Sequence, residues 1–150
     1  MILGGLVRAL EGLAALLLLA LVGVTAIDVV GRYLLNAPLA GAFELTELML
    51  GALVFAALPL VSRLGGHVEV DLLVAVLPGP LTRALGAVAA ALSALVLGYF
   101  AWRLVVLAAD QWQEGARSVS LGVPYWPFAV FGALACLLSA LFGLIRAGRE

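Results

Sequence analysis

The sequence predicts an all-α integral membrane protein: four transmembrane helices, both termini in the cytoplasm, and an interfacial segment between the second and third spans. Three observations carry that expectation. The 150 residues are 65% hydrophobic and only 11% charged, with a mean hydropathy of +1.22. A soluble domain of this length leaves roughly a third of its unfolded surface in solvent, too much for so apolar a chain to fill with polar groups. The charges divide the chain into long uncharged windows. Arginines and aromatic residues gather on opposite sides of those windows, as they do across a bilayer.

The windows are taken in order against the requirement of about 20 helical residues per crossing. Residues 12–27 are uncharged, bounded by Glu11 and Asp28, and residues 48–62 form a second window. Residues 84–102 form a third and residues 118–145 a fourth. The fourth is long, but Pro124 and Pro127 mark the start of a single helix, since proline suits a first turn. The chain is thus read as one membrane domain, 1–150, with spans of about 9–30, 43–62, 84–103 and 123–145. The first span is read as retained, not as a cleaved leader, because Glu11 interrupts the basic region that a leader needs.

Orientation follows from the arginines. Both termini inside puts Arg8, Arg63, Arg83, Arg146 and Arg149 on the cytoplasmic side, against Arg32, Arg103 and Arg117 outside. Tyr33, Tyr99, Trp102, Trp112, Tyr125 and Trp126 all fall near the first or third connection, a one-sided aromatic belt. Residues 63–83 begin polar and end apolar and are expected to lie along the inner interface. Inner arginines of this kind also suit membrane lipid. Residues 103–114 continue the third helix outward, with Asp110 and Glu114 sharing a solvated face.

Several function classes are excluded at this point. A net charge of −1 offers no footprint for nucleic acid. A single cysteine, Cys136, cannot form an internal disulfide, and a single histidine, His67, cannot complete a zinc or bis-histidine haem site. No nucleophile elbow, phosphate loop or metal-binding helix is present. No catalytic residue, metal or cofactor is therefore expected.

The residues left to carry function lie at span margins. The second window is too short, so the helix must draw in residues from about Phe43, bringing Glu44 and Glu47 to the outer boundary on one face. They read as a structural pair with Arg32, as an ion or proton site, or as a contact for another subunit. Asp28 and Arg32, four apart, form a local ion pair. His67, Glu69 and Asp71 serve better as an interfacial anchor than as a metal cluster, because no second nitrogen or sulfur ligand is near. Gly86, Ala90, Ala94 and Gly98 repeat at four-residue spacing, as do Gly132, Cys136 and Ala140, the small-residue pattern that lets helices approach in lipid. Pro59 is expected to kink the second span near Phe55.

The order of these residues resembles a known family. Gly31-Arg32-Tyr33 is followed by Pro38 and by Phe43-Glu44-Leu45-Thr46-Glu47. Then come His67-Val68-Glu69-Val70-Asp71-Leu72-Leu73, Leu77-Pro78 and Arg83, and finally Gly115, Ser118 and Val123-Pro124-Tyr125-Trp126-Pro127. The pattern, over roughly residues 8–146, resembles the small membrane subunit (DctQ type) of tripartite ATP-independent periplasmic (TRAP) transporters. Val68 stands where many members carry isoleucine. The resemblance implies a scaffold in the bacterial inner membrane. Its partners would be a large, usually sodium-coupled permease subunit and a periplasmic binding protein that delivers organic acids. Candidate subunit or docking contacts are Arg32, Glu44, Glu47, His67, Asp71, Tyr125 and Trp126. The competing reading is a small exporter working alone as a homodimer, with Glu11, Asp28 or Glu47 as its intramembrane carboxylate.

Overall fold

The computed structural model describes residues 2–64 and 79–147. They form four helices: α1 (Ile2–Leu34), α2 (Ala42–Leu64), α3 (Gly79–Glu114) and α4 (Trp126–Ala147). All four are long and apolar enough to cross a membrane, and no strand occurs among the described residues. The expected all-helical architecture, with four helices able to span a membrane, is therefore present among the described residues. The segment expected to lie along the interface, with His67, Glu69 and Asp71, falls outside the described residues.

Several helix ends have a local cause. At the end of α1 the Gly31 carbonyl accepts hydrogen bonds from the N–H groups of Leu35 (3.3 Å) and Ala37 (2.8 Å). Asn36 turns the chain in the left-handed region (φ 52°), a conformation asparagine tolerates better than most residues. The returning chain comes so close that a Cβ on residue 31 would lie 2.6 Å from the Ala37 carbonyl oxygen, so only glycine fits. α2 opens with Glu44 in its first turn and closes with Arg63 in its last, matching the helix dipole at both ends. α4 opens on the Tyr125 carbonyl, which accepts from the N–H groups of Phe128 (3.1 Å) and Ala129 (3.4 Å). Pro127 occupies the first turn, where its missing N–H costs nothing. Pro59 is fully buried within α2, and the helix remains continuous through it.

The helices lie in a row, in the order α1, α2, α4, α3. α2 packs on α1 and α4, and α4 packs on α2 and α3, so α1 and α3 form the two edges. α2 and α4 run parallel. Glu44 meets Leu121 at one end, and farther along Phe55 covers Gly132, both at an offset of 77 residues. A Cβ on Gly132 would lie 2.9 Å from the Phe55 ring. That offset sets Pro59 level with Cys136 and Ser62 level with Ser139, all of them buried. The small residues expected on the fourth span thus form a close seam, as helices in lipid require.

The third helix departs from expectation in detail. Ala90, Ala94 and Gly98 are half-buried, but Gly86 is exposed, and a Cβ on either glycine would meet nothing within 4 Å. The buried seats of α3 lie farther along the same stripe, at Ala101 and Ala108. α3 continues as a helix through Arg103 to Glu114. Its Trp112 meets Trp126 of α4 edge to face, with ring centroids 5.0 Å apart.

Candidate functional site

The connections α1–α2 and α3–α4 come together at one end of the row, here called the loop end. The α3–α4 connection is a compact turn. Ser118 N–H donates to the Val123 carbonyl (2.9 Å), Gly122 N–H to the Ser118 carbonyl (3.1 Å) and Tyr125 N–H to the Ala116 carbonyl (3.3 Å). The Arg117 guanidinium closes the turn by donating to the Gly122 carbonyl at 3.1 Å. The Ser118 hydroxyl, buried, accepts from Val123 N–H at 3.2 Å.

Glu44 joins this turn to α2. Both of its carboxylate oxygens accept from Ser120 N–H at 2.9 Å, one accepts from the Ser120 hydroxyl at 3.1 Å, and the other from Leu121 N–H at 3.2 Å. A carboxylate with acceptor sites to spare suits a turn whose N–H groups point the same way, and hydrogen bonds to a charged acceptor are the stronger kind. The expected partner of Glu44, Arg32, is engaged elsewhere. Arg32 pairs with Asp28 at 2.7 Å, as its four-residue spacing predicts. The second oxygen of Asp28 accepts from Leu39 N–H at 3.0 Å and so anchors the α1–α2 connection. Glu47, one turn beyond Glu44, is exposed. The structure therefore separates the expected cluster of Arg32, Glu44 and Glu47 into two independent clasps and a carboxylate, Glu47, with no partner among the described residues. The reason is reach: Asp28 lies on the same helix as Arg32, whereas Glu44 faces the turn.

Gly41 holds the two connections together. It has φ 75°, and its carbonyl accepts from Leu45 N–H (2.9 Å) at the start of α2. A Cβ there would lie 2.7 Å from Leu121 Cδ2. Gly41→Ala is expected to cost about 1–3 kcal/mol through the left-handed backbone alone. A lowered thermal unfolding temperature in detergent checks this. Adding Leu121→Ala should recover only the steric part.

Tyr125 and Trp126 sit beside the clasp, both half-buried, with Trp126 held against Trp112. Val119 stands at the tip of the turn, 96% exposed. Sequence reasoning did not find Ser120, Leu121 or Gly41. Ser120 and Leu121 meet Glu44 of α2, and Gly41 meets Leu121, across more than 70 residues, and no periodicity carries such contacts.

Two hollows on the molecule are open and lined by apolar residues. One, of about 460 Å³, lies between Ile27, Val30 and Gly31 of α1 and Leu35, Pro38 and Leu39 of the following connection. The other, of about 240 Å³, lies between Leu13 and Leu17, Ala52, and Phe128 and Phe131. Neither has a charged lining. Among the described residues no group of three histidine, cysteine or acidic side chains could hold a metal.

A comparison with curated proteins returns no match. The matching family is a transporter component, not an enzyme family, and the match takes in three of the four helices and the whole loop-end site. A family model described as "Tripartite ATP-independent periplasmic transporters, DctQ component" matches residues 21–150, and the chain belongs to that family.

Proposed function

We propose that this chain braces the large permease subunit of a TRAP transporter, which takes up organic acids delivered by a periplasmic binding protein, with sodium as the coupling ion. The reading rests on the family together with one structural observation, the open row. A protein that moves a solute by itself normally encloses a pathway with ionisable or discontinuous helices at its centre. Among the described residues the row is one helix thick, the hollows beside α1 are open and apolar, and Asp28 is already taken by Arg32 and Leu39. Among the described residues α1 and α3 each pack closely on one helix only, which suits attachment of the other side to another membrane protein.

In this reading the chain spans the bacterial inner membrane with both termini in the cytoplasm. The loop end then faces the periplasm, where the binding protein arrives. The Glu44 clasp gives the turn carrying Val119, Tyr125 and Trp126 a fixed position for that encounter, and Arg32 and Glu47 lie at its edge. Support for the orientation comes from the excess of arginine on the opposite side and from Tyr33, Trp112, Tyr125 and Trp126 on this one.

The test is capture of the tagged chain from native membranes in mild detergent, read by mass spectrometry. Recovery of a large polytopic membrane protein in near-equal amount is the expected result. Recovery of the chain alone as a discrete dimer would favour the exporter, as would transport by the chain alone in proteoliposomes.

A further inference from the structure

The depth of Arg103 is set by α4. Trp112 and Trp126 touch, and from there α3 and α4 run antiparallel and in contact. The apolar stretch of α4, Trp126–Ile145, is closed by Arg146 and as a helix is about 30 Å long, the thickness of the hydrocarbon core. α4 can therefore cross only if nearly all of it lies in the membrane. Arg103 follows nine residues behind Trp112, about 14 Å down the hairpin, and stands beside the middle of α4. The uncharged window suggests a span closing at Arg103. Holding Arg103 at the headgroups would leave only the far half of α4 in lipid, and α4 could not cross.

Arg103 also points away from the described helices of its own chain. The side of α3 that meets α4 carries Ala94, Ala101 and Ala108, and Arg103 lies on the other side with Tyr99, Leu107 and Asp110. Arg103 is exposed and takes part in no hydrogen bond or ion pair among the described residues. The bond that Arg32 finds in Asp28 has no counterpart here. A guanidinium at mid-depth of a bilayer faces protein or water and pairs with an acceptor; it is not left against lipid tails. Asp110, two turns nearer the loop end, is too far along the helix to serve.

We infer that Arg103 pairs with a carboxylate on a membrane helix of a second protein docked along the free edge of α3. That inference names the contact through which the proposed brace attaches, and it rests on the existence of such a partner. The planar guanidinium favours a bidentate carboxylate, so the match is specific as well as attractive.

Capture from native membranes is repeated with Arg103→Leu and Arg103→Lys. Leucine is the better membrane residue, so the chain alone should insert and unfold in detergent as the wild type does, or at higher temperature. Arg103→Leu is expected to lose the greater part of the co-purifying partner, and Arg103→Lys to retain an intermediate amount. Equal recovery with Arg103→Leu overturns the inference while leaving the proposed function standing; no partner with the wild type overturns both. The depth is tested separately with a nitroxide on Leu107→Cys in a Cys136→Ala background. Quenching typical of the acyl region is expected, and quenching typical of the aqueous phase sinks the placement.

Discussion

Gly132→Leu is expected to open the seam between α2 and α4. The ring of Phe55 already occupies the space above residue 132, with ring atoms 2.9 Å from where a Cβ would stand. A single added methyl meets only the far end of the ring, which can yield, so Gly132→Ala should be mild. A leucine cannot be accommodated that way, because Pro59 and Cys136 close the seam directly beyond. Overpacking of this kind costs about 1–3 kcal/mol, and in lipid no other force draws these helices together as strongly as close packing. Thermal unfolding in detergent is the measurement. Pairing the change with Phe55→Ala separates a steric cause from a general one: in a double-mutant cycle the two changes should be strongly non-additive, the smaller ring site accepting the leucine. Additive losses would mean that the contact does not hold the seam.

Glu44→Ala is expected to release the α3–α4 turn without unfolding the row. Two backbone N–H groups and one hydroxyl lose their acceptor together. The helices beneath keep their packing, so insertion and expression should stay near wild type. Amide exchange over residues 115–125 should quicken, and uptake by the reconstituted transporter should fall several-fold. Glu44→Gln, with one acceptor oxygen in place of two, should lie between. Glu47→Ala, which removes an exposed carboxylate one turn away, should leave both measurements unchanged. If the two alanine variants behave alike, the clasp has no special role.

How much of this was legible in the sequence depends on the distance each feature spans along the chain. The four helices follow from charge-free windows because a span is a local property of some 20 residues. The Asp28–Arg32 pair follows from four-residue spacing for the same reason. The small residues at Gly132 and Cys136 were legible as a packing face, but that Phe55 would cover it was not, since the offset between α2 and α4 is fixed only when the loop end assembles. The stripe on α3 shows the limit most clearly. The uncharged window stops at Trp102, so within it the four-residue spacing points to Gly86, Ala90, Ala94 and Gly98. The buried alanines lie at 101 and 108, past or at the edge of that window, because α4 meets α3 nearer the loop end than the charges suggest. Glu44 stands in the first turn of the second helix, but its partner is the α3–α4 turn and not Arg32, one of the readings that the sequence leaves open. Arg32 was the nearest cation by sequence, whereas the turn at Ser120 offers N–H groups that a charge count does not register.

The order of helices in the row has a consequence for biogenesis. α1 with α2, and α3 with α4, are neighbours both in the chain and in space, while α2 and α4 become neighbours only after the whole chain has been made. The protein thus consists of two hairpins, each able to enter the bilayer as a pair, followed by one lateral docking event in the plane of the membrane. Until that event Phe55 and the Glu44 carboxylate have no partners, and the turn at Ser120 has nothing to rest on. Assembly therefore has a last step with its own residues. Gly132→Leu should leave inserted, helical, protease-sensitive hairpins in the membrane rather than a failed insertion.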